Sequence, residues 1–182
     1  MWGTLNPFPF FTGGSQPAPA QRYILTLNGV NSRIQTPTIT LNSGDTVRFK
    51  ATKPSTDFAT VLDSISRNLR IRYRSDGTIQ TVGFSGTVNG QPITSLVTMW
   101  PEGIADFELT LTTSGDISSI GSRSDTDASF FDAAIFDFKI NDGSAYNYPI
   151  DDNSTTVIRN TGSGADATPI NVTPSMWSLE NV

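Results

Sequence analysis

The chain has 182 residues, no cysteine, no histidine, a charged fraction of 16% and a net charge of −5. That length fits one domain with a short tail, and such a domain buries enough surface to need no covalent staple. The missing side chains exclude disulfides, zinc–thiolate and iron–sulfur sites, thiol nucleophiles and a Ser-His-Asp triad.

Residues 1–20 differ in character from the rest of the chain. MWGTLNPFPFF is rich in proline and large aromatics, and TGGSQPAPAQ has the composition of a linker. Pro7 and Pro9 interrupt the apolar run and no basic region precedes it, so no secretory signal is read here. No stretch approaches the length of a membrane span. Trp2, Phe8, Phe10 and Phe11 are too apolar for an idle tail. Pro-Phe-Pro-Phe favours extended backbone that presents its aromatics outward. An arm that docks into a neighbouring subunit or a virion platform is the preferred reading; a strand folded back on its own domain is the alternative.

Strand signals begin at Arg22. Tyr23-Ile24-Leu25-Thr26-Leu27 runs into Asn28-Gly29, a hairpin-type turn signal. Residues 32–35 lead into 38–41, and Asn42-Ser43-Gly44-Asp45 is a turn. Residues 46–51 alternate with period two, which puts Val47, Phe49 and Ala51 on one face. Residues 58–62 form a short strand, and Ser66-Arg67-Asn68 turns the chain into the alternating strand 69–73. There Arg70, Arg72 and Arg74 read as a solvated strand face in preference to an anion site, with Arg67 nearby. Ser75-Asp76-Gly77 leads into 78–84. Residues 84–90 read as loop and turn, 93–99 as a strand, and Trp100-Pro101-Glu102-Gly103 as a corner. Residues 105–112 form a strong strand with Phe107, Leu109 and Leu111 on one face. Residues 117–120 come after a turn, 121–129 are polar and irregular, and 133–141 form the strongest strand, closed by Asn141-Asp142-Gly143. No sustained helical period occurs; a helical turn over 60–68 is the best candidate and a poor one. About a dozen short strands with Gly/Asn/Asp turns predict an all-β, two-sheet antiparallel sandwich or jelly roll.

The order of these features resembles the concanavalin A-like lectin/glucanase fold, in the laminin-G-like form carried by bacteriophage virion proteins. The resemblance covers residues 22–182. It is carried by YILTLNGVNSRIQTP, LNSGDTVRFKA, RIRYRSDGTIQTV, WPEGIADFELTLTTSGDI and FFDAAIFDFKINDGSAYNYPID. It implies a concanavalin A-like jelly roll over 22–182, with 1–21 as arm and Pro/Gly linker, and a carbohydrate- or protein-binding role.

Glucanases share that fold, so catalysis has to be weighed. Their chemistry needs two carboxylates, often on a Glu-x-Asp-x-Glu strand whose alternate residues face the cleft. Here Ile104-Ala105-Asp106-Phe107-Glu108 keeps Asp106 and Glu108 in phase but has Ile104 in place of the first Glu. Both acids are therefore read as solvent-side residues and the chain as a non-enzyme, with a glycoside hydrolase as the weakest alternative. Relatives of this kind also hold calcium, for which Asp125, Asp127, Asp151 and Asp152 are the oxygen-rich candidates. Ordinary turn chemistry is preferred at those positions, and no cofactor is expected. Trp100, Tyr146 and Tyr148 are candidates for stacking on a sugar ring, with core packing as the competing role. Trp177 is expected to seal an edge.

Together these readings predict a structural protein on the virion surface, either a capsid decoration or head-fibre subunit or a tail-fibre accessory. Its partners are capsid or tail proteins and further copies of itself, with a trimer as the guess. The alternative is a carbohydrate-binding module that adsorbs to host glycans. Nucleic acid is disfavoured because no basic stripe offsets the negative net charge, and no membrane partner is expected.

Overall fold

The computed structural model describes residues 21–123 and 129–181. The strands are β1 (Gln21–Thr26), β2 (Arg33–Leu41), β3 (Thr46–Thr52), β4 (Thr60–Asp63), β5 (Arg70–Tyr73), β6 (Ile79–Val82) and β7 (Phe84–Val88). They continue with β8 (Gln91–Pro92), β9 (Ile104–Leu111), β10 (Gly115–Ile120), β11 (Ala134–Ile140), β12 (Asn147–Tyr148), β13 (Thr168–Ile170) and β14 (Trp177–Asn181). A single 3-10 turn, Pro174–Met176, precedes β14, and no α-helix occurs among the described residues.

All paired strands are antiparallel. The larger sheet runs β14-β1-β11-β3-β9-β7-β8, with β12 also paired to β11. The facing layer contains β10-β2-β13 and β4-β5-β6. Backbone bonds from Gly121 to Val61 (2.7 Å) and from Ile65 to Asp116 (3.0 Å) join those two groups at β10 and β4. This is the all-β antiparallel sandwich that the alternating pattern predicts.

The core lies between the layers. Val47, Phe49 and Ala51 of β3 and Ala105, Phe107, Leu109 and Leu111 of β9 point inward, as their spacing predicts. Phe49 and Phe107 are direct cross-strand partners and their rings stack at 4.6 Å. Trp100 spans the layers, 4.8 Å from the ring of Phe107 and 6.0 Å from that of Tyr73 in β5. One continuous cluster runs from Ile24 to Trp177. Burying aromatic side chains of this size is the dominant favourable term in such a core.

Several local expectations are corrected. Asn28-Gly29 does not close a hairpin, because β1 and β2 belong to different layers. Asn28 Oδ1 instead accepts the N–H groups of Val30, Asn31 and Ser32, and this bends the chain across the sandwich. Residues 84–88 form strand β7 where a loop was expected. Gly86 explains the misreading: its backbone packs so closely on β9 that a Cβ would lie 2.2 Å from the Glu108 carbonyl oxygen. Residues 93–99 form a turn segment where a strand was expected. Leu96 has φ of +63° there, yet the segment still bonds the edge of β6 through Leu96 N–H to Ile79 O and Ile79 N–H to Thr98 O. The strand expected from 58 begins only at Thr60, since Phe58 has φ of +59°.

Candidate functional site

The outer face of the larger sheet carries a cleft of about 600 Å³. Alternation on β3 and β9 places Arg48, Lys50, Asp106 and Glu108 outward, opposite the buried phenylalanines. Asp106 and Glu108 thus face solvent beside exposed Ile104, as their phase predicts. Register sets Arg48 against Glu108, and the two form an ion pair.

A β-bulge in β11 completes the cleft. The pairing of β11 with β3 shifts between Phe136 and Lys139, and Asp137 within the shift has φ of +54°. The shift reverses the inward–outward phase. Phe136 lies on the outer side, opposite Lys50, while Phe138 points inward, its ring 6.4 Å from that of Phe49. Arg22 closes over Phe136, with its guanidinium 5.3 Å from the ring centre, and donates to Asp137 Oδ1 at 2.7 Å and to Pro149 O at 2.7 Å. Lys50 Nζ lies 3.4 Å from Asp137 Oδ2. Asp137 is therefore the hub of the cleft floor. Sequence pattern misses it because FDFKI looks like one uninterrupted alternation. Among the described residues, Lys139 and Asp106 bring their charges to this cleft without an ion pair. The lining is polar and of mixed charge, suited to a ligand rich in hydrogen-bonding groups.

A second charged group sits at the end of β4-β5-β6. Asp63 is fully buried and faces Arg70 and Arg72, which are 2.9 and 3.8 Å from its Oδ2. Burial pushes the Asp63 carboxyl above its usual range, and the bond from Arg70 works against that shift. The expected solvated arginine face is therefore corrected: Arg70 and Arg72 are largely covered and structural.

The residues singled out from sequence meet different fates. Trp2, Phe8, Phe10, Phe11, Asp125 and Asp127 lie outside the described residues. Trp100 is only 2% exposed and Tyr148 is fully buried, so neither presents a ring to a sugar; both were recruited to the core. Tyr148 donates its hydroxyl to Ala165 O at 2.9 Å, and burial raises its pKa. Tyr146 is partly buried and stacks on Tyr148 at 6.3 Å, on the same side as their spacing predicts. Asp152 accepts the Arg159 N–H at 2.7 Å, which is turn chemistry, and Asp151 lies 3.7 Å from Arg22. Among the described residues no three acidic side chains gather where they could hold a metal ion. Trp177 is buried at the start of the edge strand β14 and donates Nε1–H to Ser154 O, which fits its expected sealing role.

The geometry defines the class, an all-β antiparallel sandwich with a polar cleft on one outer face. No protein-family model, curated protein or solved structure matches the chain.

Proposed function

We propose that the protein is a non-enzymatic structural protein of a tailed-phage virion, a capsid decoration or head-fibre subunit or a tail-fibre accessory. In this reading residues 1–20 anchor it to the particle. The sandwich, concanavalin A-like in the laminin-G-like form, is displayed on the virion surface as a homo-oligomer. One observation carries the reading. The described residues form a continuous core running from Ile24 to Trp177, and the sequence adds four large aromatics within its first eleven residues. Large aromatics clustered on a proline-rich segment suit contact with a partner. The described fold starts at exposed Gln21, paired with Asn181 on the edge strand, so the segment joins at a corner of the sheet. The test is co-sedimentation with undecorated particles, using the full chain and a form lacking residues 1–20. Saturable binding that requires residues 1–20 supports the proposal. No binding by either form, or equal binding by both, overturns it.

The second reading, a carbohydrate-binding module for host glycans, is favoured by the polar cleft with its bulge at Asp137. It requires hits on a glycan array that weaken when Lys139 is changed to Ala.

A further inference from the structure

The outer face of the facing layer carries a row of side chains that neither the arm nor the cleft explains. Arg72 in β5 and Arg74 just beyond it point away from the core, since Ile71 and Tyr73, which alternate with them, are buried. Arg72 is registered with Gln80 of β6 on one side and Thr60 of β4 on the other. Its Nε donates to Thr60 Oγ1 at 3.2 Å. Two residues before Thr60 stands Phe58. Its ring centre is 5.3 Å from the Arg74 guanidinium carbon and 5.9 Å from that of Arg72. An aromatic ring, two guanidiniums and an amide therefore succeed one another across three strands.

Four observations point to a ligand. Phe58 adopts φ of +59°, which bulky side chains rarely do, and yet the residue is 40% exposed. Burial does not account for that strain, and strained backbone collects at binding sites. The loop before it is pinned, because Ser55 and Thr56 both donate their N–H groups to Asp132 Oδ2, at 3.0 and 2.7 Å. Arg74 Nε and Gln80 Oε1 are buried without a hydrogen-bond partner, so this face holds an unused donor and an unused acceptor. The charge is also unbalanced. Asp63 serves Arg70 and Arg72, whereas no carboxylate of the described residues lies within ion-pair distance of Arg74.

We propose that this row binds an acidic sugar, a pyranose ring carrying a carboxylate. The apolar face of the ring packs on the exposed part of Phe58. The carboxylate meets Arg74, whose planar fork suits it, with Arg72 adding charge behind. A ring hydroxyl donates to Gln80 Oε1. A bare anion has no use for Phe58, and a neutral sugar has none for the arginines. The site is on the opposite outer face from the cleft, and its test reads sugar binding and not particle binding, so it stands or falls separately from virion attachment.

The test is titration calorimetry of the full chain with tetramers of galacturonate and of glucuronate. Their methyl-esterified forms and inorganic phosphate are the controls. The expected result is saturable binding of at least one acidic tetramer, weakened tenfold or more by esterification, by Arg74→Gln and by Phe58→Gly. Glycine accepts the positive φ, so Phe58→Gly should melt no lower than the parent and its loss of binding is not loss of fold. Three results overturn the proposal: no binding of either acidic tetramer, undiminished binding by Phe58→Gly, or phosphate binding as tight as the tetramer.

Discussion

Asp63 is fully buried, and its Oδ2 accepts the Nε–H of Arg70 at 2.9 Å. The two are seven residues apart, joined by the Ser66-Arg67-Asn68 turn, and register sets them directly opposite on β4 and β5. Desolvation outweighs the arginines, so the carboxyl titrates above its ordinary value of 3.8. A carboxyl with a raised folded pKa favours the fold most when protonated. Its contribution is complete below 3.8 and is lost as pH rises through the folded value. Asn mimics the protonated form and keeps an acceptor for Arg70. Asp63→Asn is therefore expected to lie within about 1 kcal/mol of the parent at neutral pH, and to fall further behind as pH drops toward 3.8. Asp63→Ala leaves the Arg70 donor unpaired and is expected to lose about 2 kcal/mol. Urea denaturation of both variants from acid to neutral pH checks the sign.

Gly86 packs its backbone closely on β9. With φ of +154°, a Cβ there would meet the Glu108 carbonyl oxygen at 2.2 Å and Leu109 Cα at 2.8 Å. Both neighbours are backbone atoms of the central strand β9 and cannot rotate away. Gly86→Ala is expected to destabilise the protein by about 3 kcal/mol. A thermal melt that stays at the parental midpoint would contradict this packing.

Trp100 and Tyr148, the two aromatics that pack in the core instead of facing a sugar, make opposite demands. Trp100→Ala opens a void among Tyr73, Phe107 and Phe131 and is expected to lose about 3–5 kcal/mol. Tyr148→Phe removes only the hydroxyl bonded to Ala165 O, a loss of about 1 kcal/mol. Both changes should register in chemical denaturation, and Tyr148→Phe should leave any glycan affinity unchanged.

If residues 1–20 serve as the proposed arm, removing them should leave the sandwich and its core from Ile24 to Trp177 intact. The expected change in stability is less than about 1 kcal/mol, a shift in Tm of no more than about 4 °C. A much larger drop would mean that the segment folds back onto its own domain.

The strands that alternate cleanly were legible from sequence. Val47-x-Phe49-x-Ala51 and Phe107-x-Leu109-x-Leu111 face the core as read, because a period of two leaves one way to bury each set. Acidic residues in phase with Ile104 were legible for the same reason. Misreadings fell where two parts of the chain meet. Gly86 looks like a turn former until β9 is placed against it. Ile93 to Met99 carries strand-like residues, but the positive φ at Leu96 breaks the run.

The candidate sites belong mostly to that second category. Phe58, Arg74 and Gln80 are spread over twenty-three positions, and only the pairing of β4, β5 and β6 makes them neighbours. Asp137 reads as an ordinary outward residue of FDFKI, whereas the bulge sends Phe136 and Phe138 to opposite faces and turns Asp137 into the hub of a cleft. The all-β class, the strand faces and the absence of thiol and imidazole chemistry were already set by the order of residues, because composition and a two-residue period are local properties. Which aromatics are buried, which charges are paired and where the clefts lie emerged only on folding, because register, bulges and the partner across the sheet depend on distant residues that no local pattern encodes.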